Sequence, residues 1–320
     1  MTTLITGGAG FIGSYLAQLL VEEGERPILL DPAPVHGALI DIRDRFEYVQ
    51  SSLGNLSVVL NIIKKYSIDR IFHLGGMLSA PSDENPWAAF DANVTGTYNV
   101  LEAARLGGVK QVIFSSTIAV YGKDLPSTPV DDATIQRPTS MYGSTKVFCE
   151  LLGRFYARKF DLDFRGVRIP SVVGPGAKTA HMSIYNCWAI EEALKGQPYK
   201  LLCEPETRCP VIYFKDAGRA LWLLAMAERS QIKTMIYNLA GIVPSFSAED
   251  LVALIRDRIP EARLTFNPDP ATVELLRELG SLILDDECAR SEWGWEIAYP
   301  FAEMVDDFIK EFEEHTSWYV

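Results

Sequence analysis

Tyr142 and Lys146 are the two residues of this chain whose types and spacing most directly suggest chemistry. They lie four residues apart in the segment 138–146, where the sequence predicts that a helix begins. Residues i and i+4 share one helix face, so the phenol and the ammonium can point into the same cleft. Because a nearby positive charge stabilises a phenolate, we expect a lowered pKa for Tyr142 and a role as a base. Such pairs also occur by chance on solvated helix faces.

A glycine-rich loop follows the first predicted strand and begins the first predicted helix. Residues 6–13 read TGGAGFIG and satisfy Gly-x-Gly-x-x-Gly as well as Gly-x-x-Gly-x-x-Gly. Glycines permit the tight turn, and the helix N-terminus offers N–H donors to a pyrophosphate. The loop therefore predicts a dinucleotide site. Its predicted contacts are Gly7, Gly10, Phe11, Ile12 and Gly13.

Asp31 ends the second predicted strand, 18 residues after Gly13. A carboxylate at this position can accept hydrogen bonds from the adenosine ribose, which favours NAD over NADP. The next arginine, Arg43, is twelve residues further on, too far along the chain to hold a 2′-phosphate. The alternative is that Asp31 only starts the turn with Pro32.

Strand and helix patterns alternate through the first half of the chain. Such alternation predicts an α/β fold with a doubly wound parallel sheet of the Rossmann type, with helices on both faces. The predicted strands are 3–6, 28–30, 46–49, 70–74, 111–115 and 164–169. The predicted helices are 12–23, 58–65, 93–106 and 142–160.

The sequence changes after residues 174–176, where strand patterns weaken and prolines become frequent. We predict a nucleotide-binding domain of residues 1–169 plus about 211–242. A smaller C-terminal substrate domain would comprise about 170–210 plus 243–320. The runs 211–214 and 235–239 are predicted to return to the sheet, and the amphipathic stretch 301–312 to be a surface helix over the second domain.

Composition excludes several classes of partner. The net charge of −12 counts against nucleic acid or an anionic membrane, because an acidic surface releases no counterions from either. No apolar run is long enough to span a bilayer. Five cysteines without a C-x-x-C pair favour a reducing compartment, and the chain begins directly with a strand pattern, so we expect a cytoplasmic protein. The four histidines are scattered, so no metal site is expected.

Hydroxyl side chains follow the fifth predicted strand in residues 114–122, which read FSSTIAVYG. Ligands of open parallel sheets bind at the carboxyl edge of the strands. One of these hydroxyls can therefore hold a substrate oxygen against Tyr142. Spacing alone does not say which one.

The order of these motifs resembles the extended short-chain dehydrogenases/reductases, the NAD-dependent epimerase/dehydratase family. Their pattern gives Thr117 the hydroxyl role, Tyr142 the base and Lys146 its charge partner, and it matches Asn93 to a structural helix asparagine. The likeness is greatest to the short-chain L-threonine 3-dehydrogenases and spans nearly the whole chain. It is carried by Leu78-Ser79-Ala80, the run 115–122, Arg137-Pro138 with Met141-Tyr142-Gly143, Lys159-Phe160 with Leu162-Asp163, and Asp285-Asp286 with Ala289-Arg290 and Trp293-Gly294-Trp295.

The resemblance implies that Tyr142 removes a proton from a substrate hydroxyl while hydride passes from the same carbon to NAD. It also implies a homodimer that pairs through the helices 93–106 and 142–160. Further implied cofactor contacts are Leu74, Gly75, Gly76, Ser115, Tyr142, Lys146 and Pro170. Implied substrate contacts are Ser79, Thr117, Thr179 and His181.

Two departures from the threonine dehydrogenase pattern fall in the substrate half. Residues 180–185 read AHMSIY where those enzymes usually have a run like Gly-Thr-Thr-Asp-Tyr-Ala, and Gly280-Ser281 stands where they usually have Trp-Pro. The substrate is therefore threonine or a different small hydroxy compound. His181 is either a new substrate contact or a loop histidine without a role.

Other members of the same family give the alternatives. A nucleotide-sugar epimerase shares the core, but two of its usual sugar-nucleotide contacts are missing at residues 168–171 and 209–211, with Arg208 one position off. A 4,6-dehydratase would carry acids where Ile118 and Ala119 stand. A non-catalytic NAD sensor normally loses the tyrosine or the lysine, and this chain keeps both.

Overall fold

The structure is a computed structural model that describes residues 1–122, 125, 129–179, 181 and 183–319, without the side chain of Glu278. All six strands predicted for the first half are confirmed, with bounds within two residues of those expected. The strands are β1 (Thr3–Thr6), β2 (Ile28–Asp31), β3 (Glu47–Gln50), β4 (Arg70–His73), β5 (Gln111–Thr117), β6 (Asp163–Ile169), β7 (Ser171–Val173), β8 (Tyr199–Leu201), β9 (Val211–Tyr213), β10 (Ile236–Asn238) and β11 (Leu264–Phe266).

Helices fill the intervals between the strands, and a π-helix at Phe90–Thr95 runs directly into the fifth α-helix. The α-helices are α1 (Phe11–Glu22), α2 (Leu56–Tyr66), α3 (Ser79–Glu84), α4 (Pro86–Ala89), α5 (Gly96–Gly107), α6 (Met141–Phe160), α7 (Tyr185–Leu194), α8 (Phe214–Met226), α9 (Ala248–Arg258), α10 (Pro270–Gly280), α11 (Glu287–Trp293), α12 (Phe301–Glu314) and α13 (Thr316–Tyr319).

The main sheet of the described chain has seven parallel strands in the order β10-β6-β5-β4-β1-β2-β3. Both faces are covered, as the predicted doubly wound fold requires. Neighbouring residues of β1 show the two faces: Leu4 packs in one apolar core with α2 and α5, and Ile5 in another with α1 and α8. All strands of this sheet place their carboxyl ends at one edge.

The C-terminal part builds its own core around α7, α9 and α12. Helix α12 lies against α7 and α9, which confirms the predicted covering helix. Residues 235–239 return to the main sheet as β10, also as predicted. The predicted return of 211–214 is wrong, because β9 pairs with β7 in a separate two-stranded sheet and Phe214 already begins α8. The domain limits stay a prediction.

None of the helices in the described ranges is both long and apolar enough to cross a membrane.

Candidate functional site

The start of helix α6 is fixed directly against the chain that leaves β5. Ser140 caps the helix by accepting a hydrogen bond from the N–H of Gly143 at 3.0 Å. A Cβ at Gly143 would lie 2.1 Å from the carbonyl oxygen of Ala119, so only glycine allows this approach. Tyr142 and the hydroxyl-rich end of β5 are therefore held side by side.

The three residues predicted to carry catalysis meet at this contact. The Lys146 ammonium lies 5.7 Å from the centre of the Tyr142 ring. Its Nζ donates to the carbonyl oxygen of Ser115 at 2.8 Å, and the Thr117 hydroxyl lies close enough to the Tyr142 phenol to act on its pKa. Lys146 is buried, whereas Tyr142 and Thr117 keep part of their surface exposed. The arrangement places a phenol, an ammonium and a hydroxyl at the carboxyl edge of the sheet.

The pKa of Tyr142 differs from the expectation. Burial raises the pKa of Tyr142 to about 12, and the hydrogen bond with Thr117 only partly opposes this shift. The prediction of a lowered pKa is therefore wrong for the protein chain itself, because desolvation of the phenolate outweighs its stabilisation. Burial also lowers the pKa of Lys146, with Cys149 and Glu150 acting in the opposite direction.

The glycine loop has the close packing that the motif predicts. Gly7 has a φ of +70°, and its N–H donates to the carbonyl oxygen of Leu30 at 2.9 Å. A Cβ at Gly13 would lie 2.1 Å from the carbonyl oxygen of Gly7. First-turn N–H groups of a helix lack intrahelical partners, and Gly10 offers no side chain to cap α1. The N–H groups of Phe11, Ile12 and Gly13 are thus suited to a pyrophosphate, and the residues present fit a dinucleotide.

Asp31 lies at the end of β2 beside this loop and is 8% exposed. Its Oδ2 accepts from the N–H of Ala9 at 3.1 Å, and its Oδ1 accepts from the N–H of Ala33 at 2.9 Å. The carboxylate therefore starts the turn, as the alternative interpretation has it, and is also tied to the glycine loop. Each oxygen retains a second lone pair that can accept from a ribose hydroxyl.

The segment after β4 passes along the same edge. Leu74 donates its N–H to the carbonyl oxygen of Thr6, and the N–H of Gly75 donates to Thr6 Oγ1 at 3.3 Å. Asn93 Oδ1 accepts from the N–H of Met77 at 2.6 Å, and a Cβ at Gly76 would lie 2.8 Å from that oxygen. Asn93, on the π-helix, thus holds the segment in place. π-Helices are frequent at functional sites.

The predicted substrate residues lie in two segments, one at the start of α3 and one after β7. Ser79 begins α3, which is tied to the start of α6 because Asp83 Oδ1 accepts from the N–H of Met141 at 2.8 Å. Thr179 and His181 follow β7 and are partly buried. Of the run 180–185, residues 180 and 182 lie outside the described part of the chain.

A chain of hydrogen bonds connects His181 to the strand end. His181 Nδ1 lies 3.1 Å from Ser183 Oγ, which lies 2.5 Å from Ser171 Oγ. Thr117 is paired in register with Ile169, so Ser171 stands two residues beyond the level of Thr117, after the buried Pro170. Ser171 and Ser183 were not singled out from the sequence. The position of Ser171 directly after the sixth strand and Pro170 was the available signal.

No group of three or more His, Cys, Asp or Glu side chains that could hold a metal ion occurs among the residues that the structure describes.

This fold and site define an NAD-dependent enzyme of the extended short-chain dehydrogenase/reductase class. Residues 3–240 match the model of the NAD dependent epimerase/dehydratase family, and the chain belongs to that family.

Similar proteins include enzymes of two activities. The mitochondrial L-threonine 3-dehydrogenase of Bos taurus is 30% identical over 311 residues, covering 96% of this chain and 81% of that protein. A monomeric L-threonine 3-dehydrogenase from a metagenome, solved in its apo form, has a TM-score of 0.88 at 26% identity and covers 98% of this chain and 99% of its own. A UDP-glucose 4-epimerase of Thermotoga maritima, solved with UDP-glucose, has a TM-score of 0.85 at 25% identity, with coverage of 98% and 99%.

Proposed function

We propose that this protein is an NAD-dependent dehydrogenase that oxidises the secondary hydroxyl of a small hydroxy acid or amino acid. The observation that carries the proposal is the meeting of Tyr142, Lys146 and Thr117 at the sheet edge that also holds the glycine loop. The similarity to the two L-threonine 3-dehydrogenases supports L-threonine as the first substrate to test.

In the proposed mechanism, deprotonated Tyr142 accepts the proton of the substrate hydroxyl. NAD, when bound, supplies the acceptor for the hydride from the same carbon. Lys146 keeps a positive charge beside the phenolate, and Thr117 orients the substrate oxygen and stabilises the charge that develops on it. The raised pKa of Tyr142 makes this charge support a requirement for proton removal near neutral pH.

The proposed cofactor contacts are those predicted from the motifs and the family resemblance, and their position at the edge of the sheet supports them. The N–H groups at the start of α1 would hold the pyrophosphate, and Asp31 would accept from the adenosine ribose. Leu74, Gly75 and Gly76 would line one side of the cleft. Ser115, Pro170, Tyr142 and Lys146 would lie around the nicotinamide half.

Ser79, Thr117, Thr179 and His181 are the proposed substrate contacts. Burial lowers the pKa of His181, so its imidazole is neutral near pH 7 and contributes a hydrogen bond rather than a charge. Ser183 fixes the Nδ1 side of that ring. The Nε2 side is then the one that can reach a substrate oxygen or amine.

A UDP-sugar epimerase is the second candidate, favoured by the similarity to the Thermotoga maritima enzyme. The two functions differ in net chemistry, since a dehydrogenase releases NADH and an epimerase returns the hydride to its substrate. An absorbance assay for NADH with L-threonine, L-serine, 3-hydroxybutyrate, sugar acids and UDP-sugars separates them. NADH formation with a free hydroxy compound supports the proposal. Interconversion of UDP-sugars without net NADH contradicts it.

We further propose that two copies pair through α5 and α6. Six large apolar side chains on these helices are each more than 40% exposed. They are Tyr98, Leu106, Phe148, Leu151, Phe155 and Phe160. Other apolar side chains of the same helices are buried in the core. Exposed apolar side chains gathered on two packed helices support a protein contact there.

Light scattering coupled to size-exclusion chromatography tests the pairing. The wild type should have twice the mass of the chain, and Leu151→Glu should have the mass of one chain. Leu275→Glu changes an exposed leucine of α10 and should leave the dimer intact. A monomeric wild type, like the metagenome enzyme, contradicts this proposal.

A further inference from the structure

A buried ion pair joins α6, one turn beyond Lys146, to β6. Glu150 is 1% exposed and Arg168, on β6, is 2% exposed. Arg168 Nη2 lies 2.9 Å from Glu150 Oε2, and its Nε lies 3.1 Å from Glu150 Oε1. Glu150 follows Lys146 by four residues, so Tyr142, Lys146 and Glu150 form one stripe along the helix.

Glu150 also holds the strand that carries the site. The hydroxyl of Ser116 donates to Glu150 Oε1 at 2.5 Å. Ser116 stands between Ser115, whose carbonyl oxygen accepts from Lys146, and Thr117, whose hydroxyl acts on the pKa of Tyr142. The carboxylate therefore connects the helix that carries the base to the strand that carries its partners.

Arg168 extends this hydrogen-bond network to β6, on which it lies, and to β10. Its Nη1 donates to Tyr121 Oη at 2.6 Å and to the carbonyl oxygen of Asp132 at 3.1 Å. Tyr121 in turn donates to Asn238 Oδ1 on β10 at 2.8 Å. Arg168 and Ser116 are also paired in register across β5 and β6. Gln136 donates to the second oxygen of Glu150.

A buried ion-pair network of this kind contributes little to folding stability by itself. Removing two charges from water is expensive, and apolar side chains of similar volume often stabilise a core as well as an ion pair does. A carboxylate on α6 that bonds to β5 fixes the relative position of the two elements, which apolar packing does less precisely. Such precision matters because small misplacements of catalytic groups strongly lower the rate.

We propose that Glu150 is a positioning residue for the reaction: it sets α6 against Ser115–Thr117 and balances the positive charges of Lys146 and Arg168 behind Tyr142. The inference rests on the proposed dehydrogenase function. Glu150 touches neither cofactor nor substrate in this account and acts through Ser116 and Lys146.

The charge balance around the stripe involves groups from several elements. Two positive charges, Lys146 and Arg168, face the negative charge of Glu150, and Asp132, in the segment before α6, faces Arg168 as a second carboxylate whose pKa burial raises to about 6. His73 on β4 is neutral, because burial lowers its pKa to about 3. Other titratable groups facing this cluster within the described chain are Cys149 and Tyr142 on α6 and Tyr121 after β5.

Two variants separate the positioning effect of Glu150 from the effect of its negative charge. Glu150→Gln keeps an oxygen that can accept from Ser116 but removes the negative charge. Ser116→Ala keeps the ion pair but releases the strand from Glu150. Asp163→Asn is the control, because Asp163, which is partly exposed, forms another ion pair on β6 with the buried Arg165, at 2.8 Å. Steady-state kinetics from pH 6 to 10 and melting temperatures are measured for all four proteins.

We expect kcat to fall about 10- to 100-fold in Glu150→Gln and about 10-fold in Ser116→Ala, with smaller changes in KM. Loss of a negative charge makes every nearby deprotonation easier, so the acidic limb of the pH profile should move to lower pH in Glu150→Gln only. Asp163→Asn should lower the melting temperature without moving the limb or kcat by more than about twofold.

If the acidic limb of the pH profile of Glu150→Gln coincides with that of wild type, the proposed role of the Glu150 charge is overturned. A kcat within about twofold of wild type in Ser116→Ala overturns the positioning role, and this variant decides alone if Glu150→Gln does not fold. Equal losses of kcat in Asp163→Asn also overturn it, because the effect would then be one of stability. A wild type that forms no NADH overturns the proposed function itself, whereas an active wild type with unaltered variants overturns only this inference.

Discussion

The ammonium nitrogen of Lys146 lies 5.7 Å from the centre of the Tyr142 ring. The spacing of four residues along α6 produces this approach, and the bond from Lys146 to the Ser115 carbonyl fixes the ammonium where it is. Burial raises the pKa of Tyr142 to about 12 despite this neighbour. Proton removal by Tyr142 therefore depends on each group that supports its anion.

Thr117 is the first such group, since its hydrogen bond lowers the pKa of Tyr142 against the effect of burial. The deprotonated phenol is the active form, so kcat/KM for oxidation should rise with pH between 7 and 10. Thr117→Val should raise the pKa further, move this limb to higher pH and lower the rate at pH 8 by about 10- to 100-fold. Thr117→Ser keeps the hydroxyl and should retain the limb. A Val variant with the wild-type limb would contradict this role.

Asp31 should control both affinity for NAD and discrimination against NADP. Asp31→Asn retains one acceptor oxygen, so it can accept from Ala9 or from Ala33 but not from both, and the charged acceptor for the ribose is lost. We expect the Kd for NAD, measured by titration calorimetry, to rise about 10-fold and the preference over NADP to shrink. Asp44→Asn, an exposed carboxylate before β3, is the control. Equal effects of the two substitutions would remove Asp31 from the cofactor site.

The glycine loop allows a graded test within one turn. A Cβ at Gly13 would lie 2.1 Å from the Gly7 carbonyl oxygen, whereas one at Gly10 would lie 3.1 Å from it. Gly13→Ala should lower the free energy of unfolding by about 1–3 kcal/mol and abolish NAD binding, because the loop must move. Gly10→Ala should have the smaller effect on stability. Denaturant unfolding and NAD titration measure both, and the reverse order would contradict the described packing.

His181 should affect substrate binding more than the chemical step. Its neutral imidazole is held by Ser183, which bonds to Ser171 just after the strand paired with Thr117, so His181→Ala should raise KM about 10-fold with a smaller change in kcat. His36→Ala replaces an exposed histidine after β2 and serves as the control. If His181→Ala has the kinetic constants of the wild type, His181 is only a loop histidine.

Much of the fold could be predicted because its signals are local. The strands of the first half are short apolar runs between helical patterns, and burial on both faces of a parallel sheet demands such runs. The run 211–214 has the same composition, yet it pairs with β7 outside the main sheet. Its partner is decided by tertiary packing around α7 and α8, which periodicity does not report.

The site was predictable in its residue types but not in its electrostatics. Sequence spacing pointed to Tyr142 and Lys146, the family resemblance added Thr117, and the structure brings the three together, while their roles stay a prediction. The direction of the Tyr142 pKa shift depends on how much water surrounds the phenol, which no spacing encodes. The role of Glu150 was likewise hidden, although its position four residues after Lys146 was visible in the sequence.

The most direct test of the account is NADH formation by wild type and Tyr142→Phe with the best small hydroxy substrate. The account predicts that wild type forms NADH and that Tyr142→Phe binds NAD with similar affinity but loses about 10²- to 10⁴-fold in kcat, because only proton removal is impaired. A Tyr142→Phe variant that turns over at the wild-type rate would contradict the assignment of Tyr142 as the base.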